Sequence, residues 1–305
     1  MLKSYLKFRL KATDAHGIHS PFVYDLYTKA IRPQLANTNS LKSQHPQALP
    51  PQLQLQPHPN PNPNPQPLSE PQPPSEPLPQ HSSDTQTKLE QLHALRQQAR
   101  RNYTPIKGAD FGAGAQSGST QKTISSIAKN ETKPQAQAQL LSRIAQYLYP
   151  QQILELGTSL GFSTAQLSLQ NPKANITTIE GNQAIAAQAQ IHFQQLGLQN
   201  IQILQGDIDE LLPKYLKQLP SPLGLVFFDG NHRYEPTLRY FQACLPYTNA
   251  QTVFVFDDIY WSPAMTKAWH EIKAHAQVSL TIDLFHFGLV FFHEKRAKEH
   301  FFLLT

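Results

Sequence analysis

The sequence predicts an α/β protein, a doubly wound and mainly parallel sheet preceded by helices. Three observations carry that prediction. From Gln151 onward seven short apolar runs recur: QILELG, NITTIEG, NIQILQGD, LGLVFFDG, TVFVFDD, VSLTIDL and GLVFF. Stretches with helical spacing separate the first six, and strands alternating with helices build parallel sheets. Only FHF separates the last two. So short a link cannot hold a crossover, and the final strand must return antiparallel.

The elements ahead of the sheet follow in order. Leu2, Tyr5, Leu6 and Leu10 fit the period of an amphipathic helix. A second helix begins where Ser20 can cap and Pro21 suits the first turn. Phe22, Leu26 and Ala30 then share a face, flanked by Val23, Tyr27 and Ile31. These make an N-terminal helical arm, residues 1–39. Residues 40–87 are Pro/Gln-rich, and more than half of the 26 prolines lie between Pro46 and Pro79. Proline removes amide donors and biases its predecessor toward extended angles, so a solvated, disordered linker is predicted. The same composition would suit a PxxP ligand, the rarer use. Order resumes near Lys88, where LEQLHALRQQAR sets Leu89, Leu92 and Leu95 or Arg96 on one side of a helix. Ser119–Lys129 and Pro134–Tyr149 are predicted as two more helices. Together they form a helical cap region, 88–150, before the sheet domain, 151–305.

Charge and composition narrow the function. Hydrophobic residues make up 39% of the 305, charged residues 15%, and the net charge is +5. Most of that charge is local: Lys3, Lys7, Arg9, Lys11, Lys29 and Arg32 face only Asp14 and Asp25 in the arm. A solvated helix face explains it, with an anionic partner as the alternative. The remainder is close to neutral, which argues against a nucleic-acid surface. The single Cys244 excludes a disulfide scaffold and a Cys-rich zinc site. No run of 18 apolar residues occurs and the start has no signal-type apolar core, so a cytoplasmic protein without a membrane span is expected.

Two stretches compete as a glycine-rich cofactor loop. GADFGAGAQSGST, from Gly108, follows the polar NYTPIKG, and its downstream acid, Glu131, ends no strand. ILELGTSLGFST, from Ile153, follows an apolar run. About 20 residues further on, Glu180 ends the second strand, where a carboxylate can accept both hydroxyls of a ribose. The spacing of Gly157 and Gly161 is not the G-x-G-x-x-G that approaches a pyrophosphate, which disfavours a nicotinamide dinucleotide. Glu155 and the small loop residues suit an amino-acid moiety instead. Asp207, after Gly206 at the end of the third strand, can accept an adenine amino group.

This succession, E-x-G-x-x-x-G, an acid ending strand two and Gly-Asp ending strand three, resembles the class I S-adenosylmethionine-dependent methyltransferases. The resemblance runs from Gln151 to about Phe292. It implies a Rossmann-like sheet of seven strands in the order 3-2-1-4-5-7-6. It also implies that Glu155, Gly157, Ser159 and Gly161 surround the methionine part, Glu180 the ribose, and Asp207 with Ile208 the adenine. The stretch HGIHSPF in the arm also looks like a bacterial subgroup of such proteins.

Strand four ends FFDGNHRYE and strand five ends FVFDDIYW. Ligands of such sheets bind outside the carboxyl ends of the strands. Asp229, Asp257 and Asp258 should therefore meet in one crevice with His232. Three acids suit a hard divalent cation, most simply Mg²⁺; the alternative is that Asp229 caps a helix and Asp258 makes a turn. The pattern is similar to the Mg²⁺-dependent catechol and sugar O-methyltransferases, whose metal-binding acids match Asp229, Asp257 and Asp258. The catechol enzymes carry a lysine base three residues after the first acid. Here that position is His232, which can take a hydroxyl proton near neutral pH. Tyr260 and Trp261 either wall the acceptor or pack. Cys244, inside a helix, does not serve as a nucleophile for pyrimidine methylation. The expected function is methylation of a small-molecule hydroxyl. A nucleic-acid or protein methyltransferase and a non-catalytic cofactor-binding module are the alternatives, and a homodimer stays open.

Overall fold

The computed structural model describes residues 2–33, 82–106, 122–293 and 297–305. Five parallel strands form one side of the sheet: β1 (Gln152–Leu156), β2 (Asn175–Glu180), β3 (Ile201–Gln205), β4 (Leu225–Phe228) and β5 (Val253–Asp257). β7 (Phe287–Phe291) runs antiparallel to both β5 and β6 (Leu280–Asp283). An eighth strand, β8 (Glu299–Phe302), pairs parallel with β6, so the order is β3-β2-β1-β4-β5-β7-β6-β8. The sequence predicts the first seven positions of this order and their directions. It misses β8, which is only partly buried with His300 exposed and so carries no continuous apolar run.

The central strands are apolar because both faces are covered, as parallel sheets require. On one face Ile153, Leu225, Phe227, Val253, Val255 and Leu289 meet α2 (Pro21–Leu26) and α5 (Gln135–Leu148). On the other, Leu154, Val226, Phe228, Phe254, Phe256 and Val290 meet α8 (Ile208–Leu216), α9 (Tyr234–Cys244) and α10 (Pro263–Ala274). Consecutive residues serve opposite faces because strand side chains alternate. Each large apolar side chain so buried stabilises by roughly 1.5–3 kcal/mol. Cys244 belongs to the second face, fully buried.

The helices before the sheet depart from expectation in three ways. In α1 (Leu2–Lys11) the residue turned inward is Phe8, 4% exposed, against Phe285 and Phe302. The expected apolar stripe faces outward, with Leu2 and Leu10 at 73% and 88% exposure. α2 and the π-helical turn Tyr27–Ile31 are no separable arm: Val23, Leu26, Tyr27 and Ala30 lie wholly inside the sheet core. α3 (Ser83–Ala99) begins five residues ahead of Lys88, inside the stretch assigned to the linker. The Ser82 hydroxyl caps it by accepting from the Thr85 N–H at 3.2 Å, and Asp84 pairs with Lys88. Residues 34–81, the rest of that stretch, lie outside the described residues. In α4 (Ile124–Asn130), Thr123 and Ser126 form a capping box that sets the start; the expected start at Ser119 and the Gly108 loop lie outside the described residues. α3 and α4 pack on α6 (Phe162–Gln170) and α7 (Gln183–Gln195) through a third apolar cluster that includes Leu92, Ile127, Phe162 and Phe193. No described helix is long and apolar enough to cross a membrane.

Candidate active site

A crevice of about 1090 Å³ opens outside the carboxyl ends of β1, β2, β4 and β5. Its first half is built on the β1–α6 loop. Gly157 has φ +100, and a side chain there would press on the Asp229 carbonyl at 2.8 Å, so only glycine lets β1 and β4 approach. Ser159 also stands in the left-handed region, which turns its N–H onto Glu180 Oε2 at 2.8 Å. Asn182 N–H donates to Glu180 Oε1 at 2.9 Å. These two donors fix the Glu180 carboxylate at the crevice wall, and a carboxylate has lone pairs enough to accept further hydroxyls. Asp207 caps α8 by accepting from the Asp209 N–H at 2.8 Å, and with Ile208 it lines the same wall.

Two expected cofactor residues do not face the crevice. Gly161 starts α6 at φ +76, where a Cβ would collide with Phe193 at 2.6 Å. It serves the packing of α6 on α7. Glu155 is completely buried beneath the loop. Its carboxylate accepts from Ser163 and Thr178 at 2.8 Å each, and from Thr164. Burial pushes its carboxyl up to about 7 against the pull of the three hydroxyls. Glu155 therefore ties β1 to β2 and α6.

The second half of the crevice holds the acids. Asp229 and Asp257 converge with His232, whose Nε2 lies 3.5 Å from Asp229 Oδ1. Asp258 lines the crevice but lies outside that group; its φ is +51, and its N–H donates to the His286 carbonyl, a turn of the kind the sequence left open. The fourth member comes from elsewhere. The Lys133 ammonium contacts Asp257 and lies 3.2 Å from Asp229 Oδ1, with its side chain 8% exposed. Burial would raise the Asp229 carboxyl, but Lys133 and His232 outweigh it and hold Asp229 below the ordinary carboxylate range. Asp257 is fully buried, and its Oδ1 has no hydrogen-bond partner among the described residues.

Two carboxylates and an imidazole have the donor chemistry of a divalent-cation site. The occupied position does not suit one, because an ammonium already lies between the carboxylates. A dication there would stand against Lys133 at contact range with like charge. The residues as arranged do not fit a resident metal.

Trp261 lines the crevice, 57% exposed, whereas Tyr260 packs: its hydroxyl donates to Asp283 at 2.5 Å. Lys133 and His286 are the site residues the sequence reasoning missed. Lys133 precedes Pro134 at the start of α5, and its nearest acid in sequence, Glu131, pairs with Lys122 instead; His286 sits in the short FHF link. The one available hint was His232, standing where a lysine is expected.

Residues 154–259 match the family model described as a methyltransferase domain. Among curated proteins, a catechol O-methyltransferase from Niastella koreensis is 31% identical over 125 residues, 40% of this chain and 56% of that protein. Uncharacterized protein R132 of Acanthamoeba polyphaga mimivirus is 30% identical over 133 residues, 41% of this chain and 60% of the viral protein. The chain thus spans little more than half the length of these relatives. Among solved structures, cofactor-bound Rv0187 from MTB superposes with a TM-score of 0.50 at 18% identity, covering 68% of this chain and 91% of that one. The family match and the sheet order agree on a Rossmann-like, class I methyltransferase fold.

Proposed function

We propose that the protein transfers a methyl group from S-adenosylmethionine to a hydroxyl oxygen of a small molecule. The observation that carries this is the opposition, across one crevice, of the Glu180 cradle and the Asp229–His232 pair. Gly157, Ser159 and Glu180 would hold the amino-acid and ribose parts, and Asp207 and Ile208 the adenine. When bound, S-adenosylmethionine supplies an electrophilic methyl on a sulfonium, which passes to the nucleophilic oxygen and leaves a neutral thioether. His232 takes the hydroxyl proton. Asp229 turns the imidazole and stabilises its charged form once the proton has arrived. Trp261 bounds the acceptor side. The catechol O-methyltransferase among the relatives supports a phenolic acceptor as the first to try.

Calorimetric titration with S-adenosylhomocysteine tests the cofactor half. Glu180→Ala should weaken binding by about 1.5–3 kcal/mol, the range for hydrogen bonds to a charged group. Unchanged affinity in that variant would refute the assignment. Methyl transfer to catechol tests the other half: His232→Ala should reduce turnover by roughly 10²–10⁴-fold with S-adenosylhomocysteine affinity unchanged.

A further inference from the structure

We infer that Lys133 is the built-in cation of this site and takes the place that a divalent metal would fill. The inference deepens the proposed methyl transfer and rests on it for its catalytic meaning, though not for its test. Its premise is the burial of Asp257, with 0% exposure, at the end of β5. A buried carboxylate needs a positive partner, and removing such a partner leaves an uncompensated charge that strongly destabilises the fold. Lys133 is that partner, and the same ammonium reaches Asp229.

The local sequence holds it there. Lys133 precedes Pro134, which disfavours helical angles at Lys133, so the chain enters α5 extended. The Lys133 carbonyl accepts from Arg96 Nη1 at 2.9 Å, and Arg96 is itself 8% exposed with its guanidinium over the Phe162 ring. Backbone and side chain of Lys133 are thus fastened from two sides. An ammonium has three N–H donors. Two are directed at Asp257 and Asp229, and Lys133 also lines the crevice, so the third can meet an oxygen bound there. An acceptor hydroxyl that gives its proton to His232 becomes negatively charged beside a fixed positive charge. That is the stabilisation a metal would otherwise supply. The expected acceptor is accordingly a hydroxyl that ionises readily, as phenols do.

Manganese alone is the probe. Wild-type protein dialysed against chelator should leave the free Mn²⁺ paramagnetic resonance signal undiminished. Lys133→Ala, which empties the position, should bind one Mn²⁺ per chain and remove the free signal. Adding Asp257→Asn to that variant should restore the signal. One Mn²⁺ bound by wild type and lost in Asp257→Asn would overturn the inference. So would a folded Lys133→Ala that binds none, since Lys133 would then not stand in a cation position. If Lys133→Ala does not fold, Lys133→Gln keeps most of the side chain and a donor without the charge, and the same two readings apply. Titration of the same samples with S-adenosylhomocysteine separates the proposals: no cofactor binding defeats the methyl-transfer reading and leaves the manganese result standing.

Discussion

Glu155 carries three hydroxyl donors and no cation, in a place that water does not reach. Its carboxyl holds a proton up to about pH 7 in the fold, against an ordinary value of 4.5. The sign follows from linkage. The unfolded chain releases this proton near the ordinary value while the folded chain keeps it, so stability falls as pH rises from 4.5 toward 7. The span corresponds to a loss on the order of 3 kcal/mol. Glu155→Gln, which keeps the shape and cannot ionise, should flatten that part of the stability profile. Urea unfolding at pH 5 and pH 7.5 measures it; equal pH sensitivity in wild type and variant would contradict the burial argument. At this scale the sequence was legible where a residue acts through its own loop. Glu180, Ser159 and Asp229 line the crevice, as their places at or just after strand ends suggest. The inward turn of Glu155 was not legible, because it depends on the hydroxyls of Ser163, Thr164 and Thr178 meeting one buried carboxylate. Lys133 was not legible at all. Its partners lie at β4 and β5, and no local pattern encodes a contact across that separation.

Buried strands were the most legible elements. β1, β2, β4, β5, β6 and β7 read directly from their apolar runs, because both faces are covered. β3 and β8 are both edge strands half in water; β3 keeps Ile201, Ile203 and Leu204 and was legible, whereas β8 offers only Phe301 and Phe302 beside Glu299 and His300 and was not. α1 was legible as a helix and wrong in orientation: period locates a stripe but not what the stripe meets. Here the aromatic residue turns inward, with Phe8 5.5 Å from the Phe285 ring, while the leucines remain in water. Phe8→Ala should therefore cost about 3–5 kcal/mol if the site cannot collapse, and Leu10→Ala less than about 0.5 kcal/mol. Chemical denaturation of both variants decides between the two faces. A larger loss at Leu10 would mean that the leucine stripe is the packed one.

At the scale of the molecule, the described N-terminal helices share an interior with the sheet. Phe22, Leu26 and Tyr27 share a core with Leu141 and Ile144 of α5 and with Phe227 and Val255 of the sheet. The N-terminal helices are part of the layer that covers one face, and the start of α5 delivers Lys133 to the site. Removal of residues 1–33 should consequently leave an unfolded or aggregated product. Deletion of residues 44–80, whose composition offers little apolar surface to bury, should keep the melting temperature within a few degrees. Differential scanning calorimetry of the two truncations reads both outcomes. A stable body without residues 1–33 would restore the separable arm.

The pairing of both ends of the chain has a further consequence, for biogenesis. Thr13 bridges Leu303 beside β8, and the face of α2 is completed by Leu289, Phe291 and Leu303. The ribosome makes α2 well before the strands that bury it. Through most of synthesis Val23, Leu26 and Tyr27 have no sheet to enter, and their burial waits for contacts of the largest sequence separation in the chain. Such contacts bring their entropic cost before their stabilisation, which slows folding and prolongs the exposure of apolar surface. The face of α2 therefore stays uncovered in the growing chain until β7 and β8 have been made.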